Sequence, residues 1–136
     1  MKPLSECHVV VTPTLYGRYN PKLGRELEEK VGRVTYNETG RPLLSQELAE
    51  LLPIVDGYIA GLDEINAHAL AHILKIIARY EVGVNNVDLD SARANGIVVT
   101  NTPGSNSKSV AELTKGLILN SQRLIWGATT QTKNGE

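Results

Sequence analysis

The sequence predicts a doubly wound α/β fold, a single five-stranded parallel sheet with helices on both faces. Three observations predict it: five short β-branched runs, capped or amphipathic helical segments between them, and Gly, Pro, Asn or Asp at the joints. Strands that alternate with helices form βαβ units, whose crossovers are right-handed.

The elements follow in order. His8–Thr12 (HVVVT) is a first strand. Pro21–Val31 carries charges with spaced Leu and Val, the pattern of an amphipathic helix. Arg33–Tyr36 is a second strand. Ser45 caps a helix with Leu48, Leu51 and Leu52 on its apolar face, and Pro53 ends it. Val55–Ala60 is a third strand. Asp63 caps a helix to about His72, and Leu74–Tyr80 is a fourth strand. Asp88 caps a short helix that closes at Gly96. Ile97–Thr100 is a fifth strand and Pro103-Gly104 a turn. Ser109 and Glu112 have capping-box spacing and open a last helix to about Ile125. The polar tail 128–136 is expected to fray.

Composition narrows the function classes. At 136 residues, 41% apolar and 21% charged, the chain suits one globular domain. Phe is absent, so Val, Ile, Leu and Ala must build the core. The net charge of −1 and the lack of a basic run argue against a nucleic-acid partner. No apolar stretch is long enough to span a bilayer, and Met1–Cys7 has no leader-like apolar region, so a cytoplasmic chain without a membrane partner is expected. Cys7, the single cysteine, reads as an inert residue near the core.

Two loops can carry chemistry. Glu81-Val-Gly-Val-Asn-Asn86 follows the fourth strand, where an open parallel sheet binds ligands. Gly83 allows close approach to backbone whose N–H groups can hold a carboxylate. An ordinary strand-to-helix turn would use the same residues. Thr102-Pro-Gly-Ser-Asn-Ser-Lys-Ser-Val-Ala-Glu112 runs into a helix start, which is an anion site or a well-capped helix. Glu64, His68 and His72 stand four apart and could share a helix face, but a solvated face explains them better than a metal site.

Taken together, the loops are specific. Arg79, Val82, Gly83, Asn86, Val87 and Asp88, then Gly96, Ile97, Val99 and Asn101-Thr-Pro-Gly104, then Asn106 and Val110-Ala-Glu112 follow one pattern. It is similar to R-x-G-V-G-x-D-N-[IV]-D, G-[IV]-x-V-x-N-T-P-G-x-N and V-A-E. With Asp56-Gly57 at the third strand, the chain resembles the D-2-hydroxyacid dehydrogenases, close to their phosphoglycerate dehydrogenase and glyoxylate reductase branches.

The resemblance implies a flavodoxin-like sheet of order 2-1-3-4-5. It implies a substrate-binding domain over 1–104, a crossing helix over 105–127 that leads into a nucleotide domain, and the tail 128–136. In the family, hydride passes between NAD(H) and a small 2-hydroxy or 2-oxo acid. By the resemblance, the N–H groups of Val82 and Gly83 hold the substrate carboxylate, and Val82 and Val110 lie beside the nicotinamide. No G-x-G-x-x-G fingerprint occurs in these residues, and His8, His68 and His72 stand in the wrong regions for the catalytic histidine. The expectation is therefore a truncated domain, inactive alone, with no catalytic residue, no metal and no tight cofactor binding, present as a monomer or a domain-swapped homodimer. A stand-alone binding module and a ligand-free scaffold are the alternatives.

Glu81 stands where the family has Gly, and Asn85 where it has Asp. Lys115, Ser121 and Gln122 are polar on the last helix. A domain engineered to stand alone and ordinary drift both explain these departures.

Overall fold

The computed structural model describes residues 2–70 and 74–135. It contains two compact units, Met1–Pro103 and Gly104–Glu136.

The first unit is the predicted sheet. Strands β1 (His8–Val11), β2 (Arg33–Tyr36), β3 (Gly57–Ala60), β4 (Ile76–Arg79) and β5 (Val98–Thr100) pair in parallel in the order β2-β1-β3-β4-β5. The reversal of winding after β1 leaves a crevice beyond the carboxyl ends of β1 and β3. Helices α1 (Lys22–Lys30), α2 (Ser45–Leu51) and α3 (Leu89–Ala94) connect the strands.

Strand alternation sorts the side chains. Val10, Tyr58, Ala60 and Ile77 face a core closed by Leu48 and Leu52 after β2, by Ala69 and Leu70, and by Ala92 of α3. The opposite face is more open. Ile76 is 40% and Val98 57% exposed, and α1 buries none of its residues fully.

Asp88 caps α3 as its sequence position predicts. It accepts the Ser91 N–H at 2.9 Å, and Gly96 takes the left-handed conformation (φ +68°) that ends the helix.

Several expected features differ. The helix from Asp63 is absent over the described residues 63–70. Ile65 pairs with Val87 as an extended bridge, and Asn66 caps a turn by accepting the N–H groups of His68 and Ala69. The Asp63 carboxylate is drawn inward by buried donors, so it cannot cap. Glu64 and His68 therefore share no helical face, and His72 lies outside the described residues. Among the described residues no three His, Cys, Asp or Glu side chains form a metal cluster.

Ser45 is also not a cap. Leu44 precedes α2, and its N–H is taken by the Glu47 carboxylate at 2.8 Å, while the Ser45 hydroxyl donates to Asn66.

The second unit holds α4 (Ser107–Arg123) and α5 (Ile125–Lys133). Ser109 lies inside α4, because Asn106 is the residue at its N-cap. The expected single helix breaks at Leu124, which adopts φ 48°, and most of the polar tail is helical rather than frayed. Val110, Leu113 and Leu117 are exposed along α4. Among the described residues no helix is long and apolar enough to cross a membrane.

Candidate functional site

Two adjoining clefts open at the carboxyl ends of the strands. One, of about 160 Å³, lies at the crevice between β1 and β3 and runs from Thr12–Leu15 to Gly61, Tyr80 and Glu81. The other, of about 290 Å³, is lined by Leu62, Arg79, Glu81, Gly83, Asn85 and Asn86. Leu62 and Glu81 border both.

The loop after β4 forms the second cleft, and its backbone is held at successive carbonyls. The Glu81 carbonyl accepts the Thr102 N–H at 3.1 Å. The Val82 carbonyl accepts Asn101 Nδ2 at 2.7 Å. The Gly83 carbonyl accepts Arg79 Nε at 3.2 Å. In a planar trans peptide the N–H points opposite to its carbonyl. Residues 101 and 102 claim two successive carbonyls, so the N–H groups of Val82 and Gly83 both turn away from that segment. No acceptor among the described residues takes either of them. Successive donors on one side of a loop make an anion-binding concavity.

Gly83 is glycine for neither packing nor strain. A Cβ there would meet nothing within 4 Å, and its φ is not in the left-handed region. What the missing side chain leaves is an open path to the backbone.

Two buried charges stand behind these loops. Asp63 is fully buried, and its carboxylate accepts the Leu43 N–H at 2.7 Å, the Gly61 N–H at 3.0 Å, the Tyr58 hydroxyl at 2.7 Å and the Thr12 hydroxyl. Burial first, and then the Asp63 charge, push the Tyr58 hydroxyl far above its ordinary pKa, so it stays a donor. This network ties the ends of β1 and β3 to the segment before α2.

Arg79 is 4% exposed, and its Nη1 has no hydrogen-bond partner among the described residues. Burial lowers its pKa, and Glu81, Tyr58 and Asp63 oppose that shift. A guanidinium titrates so high that it keeps its charge at neutral pH.

The structure thus places Val82 and Gly83 side by side on the loop after β4, with Gly83 lining the second cleft and Val82 lining neither. Val110 lies in the second unit, in the first turn of α4, with its own N–H bonded to the Asn106 carbonyl. Sequence reasoning treated Arg79 and Asn101 only as parts of a pattern and took Asp63 for a helix cap. Strand alternation could have found Arg79, because it shares the buried face with Ile77.

Comparison with known proteins bears on the whole chain. The family model described as D-isomer specific 2-hydroxyacid dehydrogenase, catalytic domain, matches residues 9–135. The hydroxypyruvate reductase of Thermotoga maritima is 34% identical over 127 residues, which span 88% of this chain and 42% of that protein. The D-3-phosphoglycerate dehydrogenase of Methanocaldococcus jannaschii is 40% identical over 114 residues, 79% of this chain and 21% of that protein. Among solved structures, the glyoxylate/hydroxypyruvate reductase of Sinorhizobium meliloti, in complex with NADP and malonate, superposes with a TM-score of 0.73 at 26% identity, over 96% of this chain and 39% of that one. The NAD+-bound 3-phosphoglycerate dehydrogenase of Entamoeba histolytica gives 0.67 at 30% identity, over 85% and 39%. The chain spans less than half the length of each of these proteins. It belongs to the D-isomer specific 2-hydroxyacid dehydrogenase family, whose catalytic domain it matches from Val9 to Gly135.

Proposed function

We propose that this chain is the substrate-holding domain of a nicotinamide-dependent oxidoreductase that interconverts a small 2-hydroxy acid and its 2-oxo acid in the cytoplasm. The observation that carries the proposal is the pair of unclaimed N–H groups at Val82 and Gly83, beside a glycine whose missing side chain opens the backbone to a ligand. In this reading they grip the substrate carboxylate and so fix the C2 carbon relative to the hydride path.

In such an enzyme a bound NAD(H) supplies or takes up the hydride. The residues present do not make a dinucleotide site, because no G-x-G-x-x-G turn occurs among them. Val82 and Val110, each in its own unit, carry only apolar side chains, and residues 105–127 would lead toward a nucleotide domain. Among the described residues no histidine lines either cleft, and the one carboxylate there, Glu81, repels the acid it would have to serve. The chain alone is therefore expected to bind acids weakly and to turn none over, as a monomer or a domain-swapped homodimer.

Glu81 favours a second reading. A carboxylate bordering both clefts repels an acid, which suits a scaffold that binds none. Titrating glycolate while following the amide signals of Val82 and Gly83 decides between the two. Shifts at these residues support the substrate domain, and their absence at high millimolar ligand supports the scaffold. Turnover of glyoxylate with NADH by the chain alone would refute its expected inactivity, and light scattering over a dilution series tests its assembly.

A further inference from the structure

The reading of the loop after β4 leaves one group unused, the interior cation at Arg79. A buried charge is ordinarily paired, because desolvation without a partner is costly. Arg79 is buried at the end of β4, yet no carboxylate among the described residues forms a salt bridge with it, and Nη1 has no hydrogen-bond partner. Among the described residues only Nε is used, on the Gly83 carbonyl. That single bond joins the cation to the loop whose N–H groups are free. The side chain also forms part of the wall of the cleft that Gly83, Asn85 and Asn86 line.

The arrangement performs two tasks. First, by holding the Gly83 carbonyl, Arg79 braces the loop from behind, as Asn101 does at Val82 and Thr102 at Glu81. This bond fixes the peptide plane between residues 83 and 84, next to the two planes that carry the Val82 and Gly83 N–H groups. Second, it places a positive charge that no carboxylate among the described residues bridges beside those donors, in a setting of low effective dielectric. Neutral N–H groups alone discriminate weakly between a carboxylate and a neutral carbonyl compound. A buried cation behind them selects the charged ligand. Glu81 opposes this on the cleft side.

We infer that Arg79 is the positioning residue and counter-charge of the carboxylate loop, setting its preference for anionic over neutral ligands without touching the ligand, and that Glu81 attenuates this preference. The inference rests on the proposed reading of Val82 and Gly83.

The test compares glycolate with its uncharged isostere glycolamide, read at the amide signals of Val82 and Gly83. Four chains are used: wild type, Arg79→Met, Arg79→Lys and Glu81→Gln. Wild type should bind glycolate more tightly than glycolamide. Arg79→Met should weaken glycolate by about tenfold and leave glycolamide nearly unchanged, the size of a lost charge-assisted contribution. Arg79→Lys should restore the preference in part, because it keeps the charge and loses the planar fork. Glu81→Gln should raise glycolate affinity by about threefold, with the gain shrinking at high salt.

Amide dispersion in α3 and β5 reports whether each variant is folded. If Arg79→Met is not folded, Arg79→Lys and Glu81→Gln carry the test. Unchanged glycolate affinity in the folded Arg79 variants overturns the inference and leaves the loop reading standing. No shift in the wild type removes the loop reading and the counter-charge role with it. The brace is read separately in ligand-free protein: Gly83 should gain backbone mobility in Arg79→Met, and unchanged relaxation there overturns that part alone.

Discussion

Asp63 and Arg79 are both buried charges near the carboxyl edge of the same sheet, and they are satisfied very differently. Asp63 is met by four donors from Thr12, Leu43, Tyr58 and Gly61. Arg79 spends one nitrogen on Gly83 and leaves Nη1 without a partner. A fully satisfied buried charge is architecture, since its bonds repay desolvation and close loops. A partly satisfied one is held in a less stable state by the surrounding fold, which suits a group that acts on the neighbouring loop rather than on the frame.

The largest effect should come from breaking the satisfied partner. Asp63→Ala leaves two buried N–H groups and two hydroxyls without their acceptor. It should cost about 3 kcal/mol or more, read as a lower urea midpoint. A loss below about 1 kcal/mol would mean that water replaces the carboxylate and that the network is not structural.

The same measurement on Arg79→Met sharpens the contrast. Methionine fills much of the volume and removes an under-paired charge, so stability should change by no more than about 1 kcal/mol in either direction while glycolate preference is lost. A loss as large as that of Asp63→Ala would place Arg79 among the architectural charges.

Glu81→Gln probes the wet side of the comparison. It lies on the rim of both clefts and should alter ligand affinity but leave the urea midpoint within about 0.5 kcal/mol.

The smallest effect belongs to an exposed charge. Hydrogen bonds from Arg41, and then from the Leu44 N–H, hold Glu47 down to about 2, against an ordinary 4.5. Because the folded pKa is depressed, this contribution is present above about pH 4.5 and is lost as pH falls toward 2. The urea midpoints of wild type and Glu47→Gln should therefore converge between pH 5 and pH 2.5, with only a small gap at neutral pH because the pair is exposed. A gap that widens in acid would reverse the assignment.

Much of this molecule was legible in its residues. The five strands and their parallel pairing follow from short β-branched runs separated by helical segments, and the order 2-1-3-4-5, which the family resemblance implies, is the one observed. Asp88 and Gly96 bracket α3 as read, since capping is a local interaction over three or four residues. The errors lie where a local signal met a distant competitor. Asp63 carries a cap signal, yet donors up to 51 residues away in sequence take its carboxylate. The Asn66 amide, not Asp63, caps the following turn. Ser45 was diverted in the same way, toward Asn66.

The candidate site divides along the same line. The sequence singles out Gly83, because a glycine in a loop after a strand is a local fact, while Val82, Asn101 and Thr102 enter through the family pattern. The direction of the N–H groups was decided by tertiary structure, through bonds from β5's end to the carbonyls of residues 81 and 82. So was the absence of a salt bridge to Arg79 among the described residues, which depends on what packs around it. Periodicity and capping act over a few residues and can be read along a chain. Desolvation and hydrogen-bond competition act across space, and only the folded chain shows which donor meets which acceptor.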